Sequence, residues 1–170
     1  MLINLETKNK CVFVVIPYFL NKKEVQYVAV CDIDQKHRLR SVELINKQNE
    51  NKDARSYNDF RELLEKEKLD AIHIAVPDHW HSISAVEAAK KGLDIYGQKP
   101  LARSIKEGRA IVEAVEKNKI IWQTGSQQRS GTKFRLACEI VRSGKLGKIN
   151  RVEVGLPDGG HSKGMPEIQA

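Results

Sequence analysis

Residues 70–101 read DAIHIAVPDHWHSISAVEAAKKGLDIYGQKPL, and this stretch decides the fold. Ala71 to Val76 is a short apolar run rich in β-branched residues, which predicts a buried strand. Pro77 closes that strand because proline has no N–H for a sheet ladder. Apolar residues at helical spacing follow from Ile83 onward, and a second short strand is predicted over Leu93 to Tyr96.

A strand, a helix and a strand joined by short connections form a right-handed crossover unit, in which both strands run parallel in one sheet. The two strands therefore end at the same edge. Ligands of open parallel sheets bind just outside the carboxyl ends of the strands. We therefore expect the polar turns Pro77 to His81 and Gly97 to Pro100 to line one cleft.

The rest of the chain alternates in the same way. Further strands are predicted over Val25 to Cys31, Ile120 to Thr124 and Ile149 to Val154. Helices are predicted over Gln35 to about Asn49, after an N-cap at Ser56, after an N-cap at Ser104, and over about Lys133 to Arg142. The last of these is expected to bury Phe134, Ala137, Cys138 and Val141. This alternation predicts an α/β fold with a doubly wound parallel sheet.

Composition is that of a soluble globular protein of 170 residues, with 41% hydrophobic and 30% charged residues, so a disordered chain is excluded. The net charge of +7 is scattered among acids, and a solvated surface explains it better than nucleic-acid binding. The apolar run Cys11 to Leu20 is interrupted by Pro17 and is too short to span a membrane.

Three cysteines without CxxC spacing, Cys11, Cys31 and Cys138, indicate a reducing compartment, and we expect a cytoplasmic protein with its cysteines buried. His79 and His81 have a spacing that could chelate a metal with Asp78. No further ligand cluster is visible, so no metal site is predicted.

Two residues at predicted strand ends are candidates for chemistry. Asp32 follows a strand, where a dinucleotide-binding domain places a carboxylate on the adenosine ribose, although Asp is also a common turn former. Lys99 lies at the shared strand edge, where a surface lysine and a functional lysine are about equally favoured.

Several ordered segments carry a resemblance: VAVCDID, AVPDHWH, the GQKP and GSQQR turns, and FRLACEIVRSGKLGKINRVEVGLP. Together they resemble the nucleotide-binding half of the glucose-fructose oxidoreductase, inositol dehydrogenase and rhizopine catabolism (Gfo/Idh/MocA) family, over roughly Glu24 to Pro157. The resemblance implies a Rossmann-like fold and an NAD(P)-dependent oxidoreductase that acts on a hydroxyl of a sugar or cyclitol.

The resemblance also implies roles for individual residues. Lys99 and His81 would be catalytic, with the Lys99 ammonium stabilising a developing alkoxide. The cofactor would be bound by Asp32, Pro77, His81, Gln98, Lys99 and Gln127. Asp32 favours NAD, and the nearby Lys36, Arg38 and Arg40 leave NADP open. The complete enzyme would bind a small polyol or sugar, would use neither nucleic acid nor membrane, and would be able to form oligomers.

The chain departs from the family pattern in three respects. Gln98 stands where the family usually has Glu, and an amide cannot supply negative charge. The first glycine is Gly92, so the first strand and its glycine loop have no expected counterpart, and the residues near Lys10 to Leu20 fall where the first helix belongs. We also expect the family's C-terminal substrate domain to be missing.

We therefore expect an incomplete nucleotide-binding domain over residues 1–154 and a loose tail over residues 155–170, the whole being inactive alone. The alternative is a non-catalytic nucleotide-binding relic or interaction module.

Overall fold

The computed structural model describes residues 2–4 and 25–155. The chain divides into two compact units, Met1–Ser126 and Gln127–Ala170. The predictions for Lys10 to Leu20, Cys11 and the tail after residue 155 fall outside the described residues. The predicted domain boundary at residue 154 stays a prediction.

The first unit contains a six-stranded sheet in which every described pairing is parallel. The strands are β1 (Leu2–Asn4), β2 (Ala29–Asp32), β3 (Arg55–Tyr57), β4 (Ala71–Ile74), β5 (Asp94–Gln98) and β6 (Trp122–Gly125). Their order across the sheet is β3-β2-β1-β4-β5-β6. The chain therefore winds outward in one direction from β1 and in the other from β4, which is the doubly wound Rossmann arrangement that the sequence predicts.

The described helices of this unit connect the strands: α1 (Gln35–Asn49), α2 (Phe60–Lys66), α3 (His81–Lys90) and α4 (Ile105–Asn118). A single 3-10 turn, Asp78–Trp80, lies between β4 and α3. Positive φ at Gly92, the second residue after α3, allows the chain to turn sharply into β5.

The prediction that the first strand has no counterpart is wrong. Leu2–Asn4 forms β1 at the centre of the sheet, where Leu2 pairs with both Val30 and His73. A three-residue strand shows almost no alternation in sequence, and only its two neighbours reveal it. The absence of glycine before Gly92 is a property of the sequence and stands.

Side-chain caps fix where the helices begin. Asp34 accepts hydrogen bonds from the amides of Lys36 (2.8 Å) and His37 (3.2 Å) at the start of α1. Ser104 caps α4 through the Glu107 amide at 3.3 Å, as predicted. Ser56 does not cap α2, because it lies in β3, and the cap is Asp59. Asp59 is three residues nearer the helix and accepts from the Arg61 amide at 2.8 Å.

Both faces of the sheet are covered. The larger core cluster joins Ala29, Cys31, Ile72 and Ile74 of the strands to α2, α3 and α4. A smaller cluster on the other face joins Val30 of β2 to Tyr27 and to Ile45 of α1. Neighbouring β2 residues thus serve opposite faces, as strand geometry requires.

At the edge strand β3, a buried carboxylate joins the strand to the end of α2. The Glu67 side chain is only 1% exposed and is paired with Arg55. The Tyr57 hydroxyl donates a hydrogen bond to the other carboxylate oxygen of Glu67. This bond raises the pKa of Tyr57, because the neighbouring carboxylate favours the neutral phenol.

The second unit contains a 3-10 turn, Gln127–Ser130, and α5 (Thr132–Arg142). No α5 side chain is buried, so the expected burial of Phe134, Ala137, Cys138 and Val141 is wrong. The predicted strand Ile149–Val154 is also wrong, since these residues adopt no strand. Within the described part of this unit no strand is available to pair with it. Cys31 is buried as predicted, whereas Cys138 is exposed.

Candidate functional site

The carboxyl ends of the central strands form one continuous edge. Asp32, the last residue of β2, pairs with Asn4 at the end of β1. Gln98, the last residue of β5, pairs with Gly125 at the end of β6. At the centre of the sheet Ile3 of β1 pairs with Ile74 of β4. Both of the pairs just named lie one residue further toward the carboxyl ends of the strands. The structure therefore places Asp32 and the turns after β4 and β5 along the same edge of the sheet.

Asp32 is 1% exposed, an unusual position for a carboxylate. Its Oδ1 accepts a hydrogen bond from the Asp34 amide at 2.8 Å, which fixes the turn into α1. The backbone carbonyl of Asp32 accepts from the Arg38 guanidinium, whose same nitrogen donates to Asn58 Oδ1 at 3.2 Å. Arg38 thus ties the end of β2 to the loop that follows β3.

Charges gather around this end of β2. Burial raises the pKa of the Cys31 thiol to about 12, and the Asp59 and Asp32 carboxylates raise it further, while Arg38 opposes them. The N-cap Asp34 carboxyl has a lowered pKa, chiefly because a backbone amide of α1 donates to it. The end of β2 and the segments beside it therefore carry three carboxylates, those of Asp32, Asp34 and Asp59, together with the Arg38 guanidinium.

The turn after β4 begins at Pro77, whose carbonyl accepts from the Trp80 amide at 2.9 Å. His81 then starts α3 with its ring almost fully buried, at 1% exposure. Its Nε2 lies 2.8 Å from the Val76 carbonyl oxygen. Burial lowers the pKa of His81, and the Lys99 ammonium lowers it further, which places Lys99 within electrostatic reach of this ring. His79, by contrast, is exposed.

At the end of β5 the polar residues differ in exposure. Gln98 is buried at 9%, and its amide lies over the backbone of Gly125, where a Cβ would approach it to 2.9 Å. Lys99 is exposed, and the Lys99–Pro100 peptide is cis. Gly97 is covered by the Trp122 ring, which a Cβ at this position would overlap. Trp122 is therefore a packing residue, which lies against the larger core cluster.

Among the residues predicted from sequence, Asp32, Pro77, His81, Gln98 and Lys99 all belong to this edge of the first unit. Gln127 begins the second unit, and its role stays a prediction. Two hydrogen bonds were not predicted from the sequence: Arg38 to Asn58, and His81 to the Val76 carbonyl. A sequence pattern does not show which acceptor a side chain reaches.

Other features of the described residues lie elsewhere or are absent from them. A cavity of about 390 Å³ is lined by residues that precede β2 and β4, together with His73 and Tyr96, and so opens toward the amino ends of those strands. No group of three or more His, Cys, Asp or Glu side chains suited to a metal ion occurs in the described ranges. Among the described helices none has the length and apolar character needed to cross a bilayer.

The oxidoreductase family with an NAD-binding Rossmann fold, Gfo/Idh/MocA, matches residues 11–126. The chain belongs to this family. The matched region ends where the first compact unit ends and includes the strands β2 to β6.

Two curated relatives illustrate the similarity. Levoglucosan dehydrogenase of Pseudarthrobacter phenanthrenivorans is 31% identical over 94 residues, which cover 55% of this chain and 24% of the relative. The α-N-acetylgalactosaminidase of Shewanella oneidensis is 28% identical over 137 residues, which cover 79% of this chain and 30% of the relative. The matched part of the chain thus spans 24% to 30% of the length of these relatives.

Solved structures share the fold. A myo-inositol 2-dehydrogenase from Lactobacillus plantarum superposes with a TM-score of 0.70 at 22% identity, covering 88% of this chain and 43% of that one. The WlbA dehydrogenase from Bordetella pertussis, solved with NADH and UDP-GlcNAcA, gives a TM-score of 0.69 at 19% identity, covering 87% and 43%. At these identities the likeness concerns the fold.

Proposed function

We propose that the chain binds NAD(H) along the carboxyl edge of its sheet and forms the cofactor half of an oxidoreductase that acts on a hydroxyl of a sugar or cyclitol. The observation that carries the proposal is the strand order, which sets Asp32 and Lys99 on either side of the point between β1 and β4 where the winding reverses. Ligands of such sheets bind at that point.

The residues present fit the two ends of a dinucleotide. β2 and β5 are three strand spacings apart, or about 14 Å, so a ligand that reaches from Asp32 to Lys99 must be long and extended. The Asp32 carboxylate is suited to accept hydrogen bonds from ribose hydroxyls. Gln98 and the Pro77 turn would line the nicotinamide end. No glycine precedes Gly92, so the pyrophosphate would meet a backbone that carries Cβ atoms.

The charges at β2 favour NAD over NADP. A 2′-phosphate would add negative charge beside the Asp32, Asp34 and Asp59 carboxylates, whereas a 2′-hydroxyl would donate a hydrogen bond. Arg38 is already bonded to the Asp32 carbonyl and to Asn58. We expect NADH to bind at least about tenfold more tightly than NADPH, which corresponds to about 1.4 kcal/mol of repulsion.

A bound nicotinamide would supply the hydride acceptor. Lys99, exposed at the end of β5, would lie beside the reacting hydroxyl, and its ammonium would stabilise the negative charge that develops as the hydroxyl proton passes to water. The relatives point to the substrate class: one is named for levoglucosan and another for an N-acetylgalactosamine glycoside, both carbohydrates.

A second candidate is a module that binds the nucleotide without turnover. The observation that favours it is the missing glycine before Gly92, because close approach of a pyrophosphate to a helix N-terminus normally requires glycine. Both candidates share the binding step and differ only in whether NAD is reduced.

Titration of NADH fluorescence with the full chain tests the shared step, with Asp32→Asn as the variant and Asp53→Asn as the control. The asparagine side chain keeps an acceptor for the Asp34 amide, so the fold is retained while the negative charge is lost. We expect Asp32→Asn to weaken NADH binding about tenfold and to reduce the ratio of the dissociation constants for NADPH and NADH. Asp53→Asn, in an exposed loop, should leave both constants unchanged.

Absence of a saturable signal at millimolar NADH would contradict both candidates. Formation of NADH from NAD with cyclitols or anhydrosugars, lost in Lys99→Met and kept in Lys91→Met, would favour the enzyme. Binding without such turnover would favour the non-catalytic module.

A further inference from the structure

A buried histidine holds the backbone at the edge where the dinucleotide is proposed to bind. The His81 ring is 1% exposed and its Nε2 lies 2.8 Å from the carbonyl oxygen of Val76. Because a carbonyl can only accept a hydrogen bond, Nε2 must carry the proton. The other ring nitrogen, Nδ1, is buried and has no hydrogen-bond partner in the described part of the chain.

The bond matters because of the peptide group it holds. β4 ends at Ile74, so the Val76 carbonyl lies beyond the last residue of that strand. The following residue is Pro77, which has no N–H, so the Val76 carbonyl is the only hydrogen-bonding group of that peptide. Val76 itself is buried at 7% exposure. The imidazole therefore satisfies a buried carbonyl and sets the direction in which the chain enters the turn.

Burial favours the neutral form of the His81 ring. Burial and the Lys99 ammonium lower the pKa of the ring, against the opposing effects of the Val76 carbonyl and the Asp78 carboxylate. The ring thus remains a single tautomer, with the proton on Nε2, at neutral pH. A buried neutral ring that already donates its one proton is poorly suited to deliver a proton to a substrate.

We infer that His81 is a positioning residue that fixes the Val76–Pro77 peptide and, through it, the turn Pro77–Trp80 beside the cofactor. This role differs from the catalytic role that the family resemblance implies for His81. The inference rests on the proposed function for its effect on NADH, whereas the clamp itself is a property of the free protein.

Two substitutions separate the role of each ring nitrogen. The side-chain amide of His81→Gln can place an N–H near the position of Nε2 and reach the Val76 carbonyl. The shorter His81→Asn can mimic only Nδ1. We expect NADH affinity in His81→Gln to stay within about threefold of the parent, and in His81→Asn to fall about tenfold or more, as for loss of one buried hydrogen bond. His79→Gln, two residues away and exposed, is the matched control.

Histidine ¹⁵N NMR on the free chain provides the readout that does not depend on the cofactor. The clamp predicts a neutral His81 ring with its proton on Nε2 at pH 7, and displaced amide signals of Asp78 and Trp80 in His81→Asn but not in His81→Gln. A proton on Nδ1, or a charged ring at pH 7, would overturn the clamp. Equal NADH affinity in the parent and both His81 variants would overturn its effect on the cofactor. Failure of the parent to bind NADH, with the NMR result as expected, would refute the proposed function while leaving the clamp in place.

Discussion

His73 makes the stability of this fold sensitive to acid. It lies in β4 with only 4% of its surface exposed, its Nδ1 is 3.1 Å from the Tyr27 hydroxyl, and its ring meets the Tyr96 ring edge-on at 5.2 Å. Burial lowers its pKa from 6.5 to about 3, because the charged imidazolium loses its hydration there. Between these two pKa values the unfolded chain is protonated at His73 and the folded chain is not.

The sign and size follow from proton linkage. Between pH 6.5 and 3 the unfolded chain binds more protons at His73 than the folded chain, so the free energy of unfolding falls as the pH falls. At pH 5, which is 1.5 pH units below the unfolded pKa, His73 lowers the free energy of unfolding by about 2 kcal/mol. That is a large share of the stability of a small domain, which is about 5–15 kcal/mol. Above pH 6.5 the term vanishes.

Urea unfolding at pH 7, 6 and 5, followed by tryptophan fluorescence, measures this loss in the parent and in His73→Asn. Asn offers an oxygen near the position of Nδ1 for the Tyr27 hydroxyl but does not titrate. His81, whose pKa burial also lowers, contributes in the same direction in both proteins and cancels in the comparison. We expect the loss between pH 7 and 5 to be about 2 kcal/mol smaller in His73→Asn and unchanged in the exposed control His79→Asn. The reasoning is refuted if His73→Asn loses as much stability as the parent.

Two further predictions concern stability. Glu67→Gln, which removes the charge of a buried carboxylate that has two partners, should lower the free energy of unfolding by about 2 kcal/mol in urea at pH 7. The exposed helical pair at Glu62 gives the control, since Glu62→Gln should cost under about 0.5 kcal/mol, and equal losses would contradict the difference in burial. Gly97→Ala should cost about 1–3 kcal/mol because its Cβ would overlap the Trp122 ring. Gly108→Ala, inside α4 with its nearest neighbour atom at 3.9 Å, should instead stabilise by about 0.5–1 kcal/mol, and a melting midpoint that moves in the same direction for both glycine variants would contradict the contact geometry.

The fold was predictable where local signals and packing agree. The helix over Gln35–Asn49 begins and ends as predicted, because Asp34 caps it and Ile45 packs into the core. β3 was missed because Arg55 and Ser56 are exposed residues of an edge strand and show no apolar alternation. The register of β3 is set by its pairing with β2, and the local sequence pattern contains no information on that pairing.

The buried face of α3 shows a second limit. Ile83 begins the apolar residues at helical spacing that predicted this helix, yet it is 44% exposed, and the buried face is made of small residues such as Ser84, Ala85 and Ala88. Small side chains let α3 approach the sheet and α4 closely. The residues of α3 that are buried are therefore those nearest these neighbours, and not the most hydrophobic ones. Position along the sheet edge was predictable for Asp32 and Lys99 because parallel strands end together.

The two buried histidines connect stability to the candidate site through one strand. His73 lies within β4, between β1 and β5 at the centre of the sheet, and His81 holds the carbonyl two residues beyond the end of that strand. Each is buried with a lowered pKa, so acid opposes both arrangements together. Protonation of His73 would weaken the packing of the strand that carries the Val76 carbonyl, and protonation of His81 would charge the ring that holds it. The folded state keeps His73 neutral down to about pH 3, so the turn and the sheet should lose their order together, when the chain unfolds, because a single strand positions both.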